Sequence, residues 1–118
     1  DVFVFPSIRE LGAGVVVEAM ASGLACLVTD YGAPGALCAD GRGVTVPLAP
    51  LDALTDAYRS AMEQMVTDRT TLAGVGATAR AHAQADYPWA IKGARTLAIY
   101  DAILAGAPVA PLGYDLPP

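Results

Sequence analysis

The sequence predicts an α/β fold, with a parallel sheet flanked by helices. Three observations predict it. Short strand-forming runs stand at residues 2–5, 25–29 and 43–46, and the first two read as strands buried on both faces of a parallel sheet. Helix-forming stretches separate those runs, and parallel strands need such crossovers. From Pro50 onward the apolar residues recur every three or four positions, the period of amphipathic helices.

In order along the chain, Val2-Phe3-Val4-Phe5 reads as a strand buried on both faces, ended by Pro6 and Ser7. A core strand so near residue 1 raises the expectation of further sequence upstream. A loop through Glu10 and Leu11 leads to Gly12-Ala13-Gly14, and a helix is predicted over 15–22 with Gly23 closing it. The run 25–29 is a second buried strand. Residues 30–35 read as a turn-rich loop because they include Gly32, Pro34 and Gly35. A short helical turn is predicted over 36–39, and Asp40-Gly41 turns the chain into the strand 43–46.

Leu51, Leu54, Tyr58, Ala61, Met62 and Met65 line one face of a helix that starts near Pro50. A second helix is predicted over 69–85, weakened by Gly74 and Gly76. A third starts at Pro88-Trp89 and carries Trp89, Leu97, Tyr100 and Leu104, with Trp89 expected in packing. After Gly106 the prolines 108, 111, 117 and 118 mark an extended tail. The domain is therefore read as 1–106, a Rossmann-like sheet seen without its first strands, and 107–118 as a Pro-rich tail.

Composition narrows the function classes. With 54% hydrophobic and 16% charged residues the chain can bury a core. Seven Lys and Arg against twelve Asp and Glu give a net charge of -5, which offers no broad basic surface for nucleic acid. No apolar run approaches the roughly 20 residues of a membrane helix. Cys26 and Cys38 are too few for a disulfide framework and read as reduced thiols of a cytoplasmic protein. The single histidine, His82, and the cysteine spacing fit no zinc site.

The chemistry concentrates in residues 5–23. A strand delivers the chain to a loop at its carboxyl end, where open parallel sheets hold their ligands. Gly12 and Gly14 let a ligand approach the backbone and leave N–H donors at the helix start, which suits a phosphate or pyrophosphate. Glu18 is the one charge in a helix otherwise built of Val, Ala, Met and Ser. It lies about one turn in, roughly 6 Å along the axis, and leans back toward the amino end. It can accept hydrogen bonds from ribose hydroxyls while a pyrophosphate sits on the helix end. Glu10, before the glycines, then faces the sugar beyond the phosphates.

Glu10 and Glu18 in an E-x7-E pattern, with seven residues between them, Phe5-Pro6-Ser7 before them and Glu18-Ala19-Met20-Ala21-Ser22-Gly23 closing the helix, resemble the retaining glycosyltransferases of the GT-B fold, family 4 or group 1. Val28-Thr29-Asp30, Tyr31-Gly32-Ala33-Pro34, Tyr87-Pro88-Trp89 and the helix ending near Tyr100 agree in order. The resemblance covers about residues 1–105 and places the chain in the C-terminal, donor-binding half of that architecture.

The resemblance implies that Glu10 contacts hydroxyls of the donor sugar and is the residue nearest the chemistry. Glu18 would take the ribose, and backbone N–H groups around Gly12, Ala13, Gly14 and Val15 the diphosphate of a UDP- or GDP-type donor. It implies retention at the anomeric carbon, and neither a metal nor a separate cofactor. An Arg and a Lys on earlier strands, and an N-terminal domain with the acceptor site and any peripheral membrane contact, would lie upstream. The chain departs from the common pattern in two places. Glu10-Leu11-Gly12-Ala13-Gly14 shifts the glycines by one, and Ala36 stands where an acidic residue is frequent.

Other readings of the same residues stand beside this one. Gly12-Ala13-Gly14 with Asp30 at the end of the next strand is the start of an NAD-type dinucleotide fingerprint. Against it, Val17 occupies the third glycine position, the strand ends well before Gly12, and neither glutamate has a role. A nucleotide-sugar epimerase shares the general fold. A remnant domain that binds a nucleotide or partner without turnover is the non-enzymatic alternative.

Overall fold

A computed structural model describes residues 1–109. The chain divides into two compact units, Asp1–Ala85 and Asp86–Pro118.

The first unit is built on a three-stranded parallel sheet in the order β1 (Val2–Phe5), β2 (Ala25–Asp30), β3 (Val44–Pro47). Val2 pairs with Ala25 and Phe5 with Val28, while Leu27 pairs with Val44 and Asp30 with Pro47. Only the central strand matches the expectation of burial on both faces. In β2 the residues from Ala25 to Thr29 are all buried. β1 has one paired edge, so its residues are half-buried and Val4 is exposed. Phe3 and Phe5 compensate by stacking on one another, ring centroids 5.9 Å apart.

The alternation of β2 sorts the helices. Ala25 and Leu27 join Val46 of β3 and Leu54, Tyr58 and Met65 of α3 (Leu51–Thr67) in one hydrophobic cluster, completed by Leu72 and Val75 of α4 (Arg69–Asp86). The opposite face meets α1 (Gly14–Ala21) and α2 (Gly32–Cys38). The Cys26 thiol lies 3.9 Å from the Val16 carbonyl and hydrogen-bonds Cys38, which pushes the Cys38 thiol up and holds that of Cys26 down. Both cysteines are buried free thiols. Helices on both faces of a parallel sheet make this the Rossmann-like arrangement the sequence predicts.

Two local outcomes differ from expectation. The segment from Gly32 to Cys38 is a helix rather than a loop with a final turn. Pro34 falls in its first turn, where a missing N–H costs nothing. Gly35 is required because a Cβ there would lie 2.6 Å from the Asp30 carboxylate oxygen. Neither residue breaks the helix, although both read as breakers in isolation. Gly76 likewise does not weaken α4 idly: a Cβ on it would stand 2.5 Å from the Gly23 carbonyl oxygen, so the glycine lets α4 close onto the start of β2. Gly74 has open space around it and no such reason.

The helix ends follow the sequence. Gly23 sits at φ 77° after α1, with its N–H on the Met20 carbonyl and that of Leu24 on the Ala19 carbonyl, a Schellman closure. Pro50 precedes α3, and Asp40 and Gly41 make the left-handed turn before β3. Asp68 caps α4 by accepting from the Thr71 N–H at 3.0 Å and hydroxyl at 2.6 Å, which lowers its carboxyl pKa.

The second unit holds α5 (Trp89–Leu104) after Pro88. None of its residues is buried, and Trp89 is 90% exposed. Trp89 is expected in core or interdomain packing; it is not in the core of the described residues. Arg95 reaches Asp86 at 2.9 Å, and Lys92 lies over the Tyr87 ring at 4.4 Å. Of the predicted Pro-rich tail, residues 107–109 carry neither helix nor strand, and the rest lies outside the described residues. Among the described residues no helix is long and apolar enough to cross a membrane.

Candidate functional site

Parallel pairing brings Phe5, Asp30 and Pro47, the last residues of β1, β2 and β3, to one edge of the sheet. Connections leaving that edge hold the ligands of open α/β sheets. One buried polar bridge fixes the edge. The Tyr58 hydroxyl donates to the Phe5 carbonyl at 3.3 Å and shares a 2.8 Å hydrogen bond with the Thr29 hydroxyl. Thr29 is fully buried, and burial raises the Tyr58 phenol pKa. A side chain from α3 thus ties together the two strand ends from which the loops depart.

The loop after β1 runs through residues 6–13 before α1 begins. Its organising contact is internal. One oxygen of Glu10, Oε1, accepts the backbone N–H groups of Leu11 at 3.0 Å, Gly12 at 3.3 Å and Ala13 at 3.1 Å. The bonds from Ala13 and Gly12, and then that from Leu11, hold the carboxyl below the usual glutamate range by favouring its charged form. Ala13 makes this possible by adopting a left-handed conformation, φ 47° and ψ 41°, while its side chain stays buried. That conformation is unfavourable for an alanine by about 1–2 kcal/mol. Sequence reasoning gave the special backbone role here to the flanking glycines, as places of close ligand approach, and missed the left-handed Ala13. No property of an alanine between two glycines signals it.

At the start of α1 the Ala13 carbonyl accepts from Val16 and Val17. The N–H groups of Gly14 and Val15 carry no hydrogen bond from the described residues, and Ala13 provides no side-chain cap. Both residues are exposed. Glu18 lies one turn further along and is exposed as well, whereas Val16, Ala19 and Met20 face the core. Residues three and four apart share a helix face, so Glu18 shares a face with positions 14 and 15, one turn from the open helix start. Nothing occupies the space within 4 Å of a Cβ built on Gly12 or Gly14.

The turn after β2 closes the other side of the loop. Gly32, at φ 54°, would place a Cβ 3.8 Å from the Glu10 carbonyl oxygen. Asp30 and Tyr31 are exposed beside it. Gly12, Gly14, Val15 and Glu18 are exposed along the way from the loop onto α1, Glu10 is half-buried, and Ala13 between the glycines is buried. The two carboxylates stay apart, with Glu10 turned onto its own loop and Glu18 beyond the helix start. Leu11, 98% exposed, is the loop's most prominent apolar side chain. A separate cleft of ≈ 220 Å³ between β3, α3 and α4, lined by Val44, Met65, Leu72 and Val75 among others, contains none of these residues.

The dinucleotide reading fits this geometry poorly. Residues 6–13 separate β1 from α1, whereas that fingerprint needs the first glycine in a tight turn directly after the strand. Residues 1–68, which span the sheet, the loop and α1–α3, match the family described as Glycosyl transferases group 1. No curated protein matches the chain.

Proposed function

We propose, since the chain belongs to the group 1 glycosyl transferases, that it holds the donor of the transfer, a UDP- or GDP-type sugar, at the amino end of α1. The observation that carries this reading is the exposed Glu18 one turn beyond Gly14 and Val15, whose N–H groups carry no hydrogen bond from the described residues. A diphosphate on those donors gains from aligned N–H groups and the helix dipole. Glu18 then lies within reach of the ribose, where a carboxylate accepts from paired hydroxyls. Gly12 and Gly14 leave room for the phosphates, and Gly12 and Ala13 add N–H groups to the same cradle.

Glu10 is the residue assigned to the donor sugar. Its carboxylate accepts from sugar hydroxyls and steadies the positive charge that grows at the anomeric carbon as its bond to the diphosphate breaks. The acceptor oxygen attacks from the face the diphosphate leaves, giving retention, and its proton passes to the departing phosphate. The acceptor site, and the Arg and Lys side chains that neutralise the leaving group, are assigned to sequence beyond this chain. Neutralising the leaving group is commonly the largest catalytic contribution, so the chain alone is expected to bind the donor but turn it over poorly. The free thiols Cys26 and Cys38 accord with a cytoplasmic setting.

Calorimetric titration of the wild-type chain and Glu18→Ala with UDP, GDP and NAD tests the reading. One nucleoside diphosphate is expected to bind, and Glu18→Ala to weaken it by about 1–3 kcal/mol, the scale of lost charge-assisted hydrogen bonds. Binding of NAD that ignores Glu18 would overturn the assignment.

A further inference from the structure

The cradle for the donor's phosphates already has an occupant. Glu10 Oε1 takes the N–H groups of Leu11, Gly12 and Ala13 at 3.0, 3.3 and 3.1 Å. Two of these residues, Gly12 and Ala13, belong to the run that leads into the open donors of Gly14 and Val15. Successive backbone N–H groups converging on one point form an anion-binding concavity, and here the anion is the chain's own carboxylate. An oxygen that accepts three N–H bonds has no capacity left for a sugar hydroxyl. A diphosphate placed on Gly14 and Val15 would also meet a fixed negative charge beside it.

We infer that Oε1 of Glu10 is a built-in stand-in for phosphate, which an incoming nucleoside diphosphate displaces from the Leu11–Ala13 N–H groups, freeing both carboxylate oxygens for the donor sugar. The inference rests on the donor-site reading above and adds an order of events to it. The phosphate arrives first, takes the N–H groups, and frees the carboxylate to turn toward the sugar. Sugar capture thereby depends on phosphate capture. A free sugar without a diphosphate leaves Oε1 on its loop and finds only the remaining oxygen, Oε2, open to it. Exposure of the loop makes the exchange possible without moving the core, because Leu11, Gly12 and Gly14 are exposed and no residue packs against the two glycines. Oε2 accepts no hydrogen bond from the described residues, so the carboxylate is held in place through one oxygen alone.

The test is calorimetric titration of the wild-type chain, Glu10→Ala, Glu10→Gln and Glu18→Ala with inorganic pyrophosphate and with UDP and GDP, after circular dichroism shows that each is folded. A vacated cradle is expected to take the anion better. Glu10→Ala should bind pyrophosphate and the preferred nucleoside diphosphate about tenfold more tightly than wild type, the scale of one charge-assisted hydrogen bond, with Glu10→Gln in between. Equal or weaker binding by Glu10→Ala overturns the inference, as does failure of Glu10→Ala to bind either anion at millimolar concentration. The donor-site reading is judged separately. Tighter pyrophosphate binding by Glu10→Ala with UDP and GDP affinities indifferent to Glu18→Ala supports the stand-in and sinks the ribose role. Weaker nucleotide binding by Glu18→Ala without any gain in Glu10→Ala does the reverse.

Discussion

The glycines of the site loop and those of the packed body are missing their side chains for different reasons. At Gly35, Gly43 and Gly76 a Cβ would meet another atom at 2.5 to 2.6 Å: the Asp30 carboxylate, the Cys38 side chain and the Gly23 carbonyl oxygen. These three are dictated by close approach inside the folded chain. Gly12 and Gly14 have nothing within 4 Å, and neither takes a positive φ. The residue that does turn left-handed in the loop is Ala13, for which the backbone is unfavourable. Close approach thus explains Gly35, Gly43 and Gly76, and explains neither Gly12 and Gly14 of the loop nor Gly74 of α4.

The sharpest way to break that comparison is at Gly76. Gly76→Ala drives a Cβ into the Gly23 backbone carbonyl, and overpacking of this kind costs about 1–3 kcal/mol. The gain in helix propensity, about 0.5–1 kcal/mol, does not offset it. Urea denaturation should show a clear fall in midpoint, and an unchanged midpoint would mean that α4 does not close on β2 as described. Gly14→Ala is the counterpart. With open space and the first position of α1, it should keep or raise stability by about 0.5–1 kcal/mol while weakening nucleoside diphosphate binding. If stability and affinity move together at both sites, the distinction between the two sets of glycines is lost.

The smallest effect is a titration in the loop. The Glu10 carboxyl is held below the usual glutamate range by its bonds from Ala13, Gly12 and Leu11. The charged form is therefore favoured in the folded loop. Its contribution is complete above the ordinary glutamate range and is lost as pH falls through the lowered value. Amide nitrogen and proton shifts of Leu11, Gly12 and Ala13 followed against pH should inflect together below that range. An inflection at or above it would show that the three bonds do not favour the charged carboxylate in solution.

Much of this was legible in the residues because it depends on local chemistry. Gly23 after an apolar helix reads as a left-handed closure, Pro50 and Pro88 as helix starts, and the unalternating run 25–29 as a central strand; the structure has each of them. The E-x7-E spacing placed Glu10 before a helix and Glu18 one turn into it, and the matched family covers that stretch. The misses share a cause. Gly32, Pro34 and Gly35 looked like a loop because a helix-breaking residue is judged alone, whereas Asp30 folding over Gly35 decides the matter. Trp89 is not in the core, the first of the two packing places its aromatic bulk suggested. β1 looked buried on both faces because composition does not say which strand is central.

By itself, then, the sequence determined the order of strands and helices, the helix ends and the pair of glutamates, since each follows from propensity, period or spacing within one turn. Tertiary structure alone decided which strand is central, that Tyr58 ties Thr29 to the Phe5 carbonyl, and that Glu10 folds back onto three N–H groups of its own loop. Those are contacts between groups whose meeting depends on how the backbone turns. At Ala13 that turn is set by the loop and strands around it, against the preference of the residue itself.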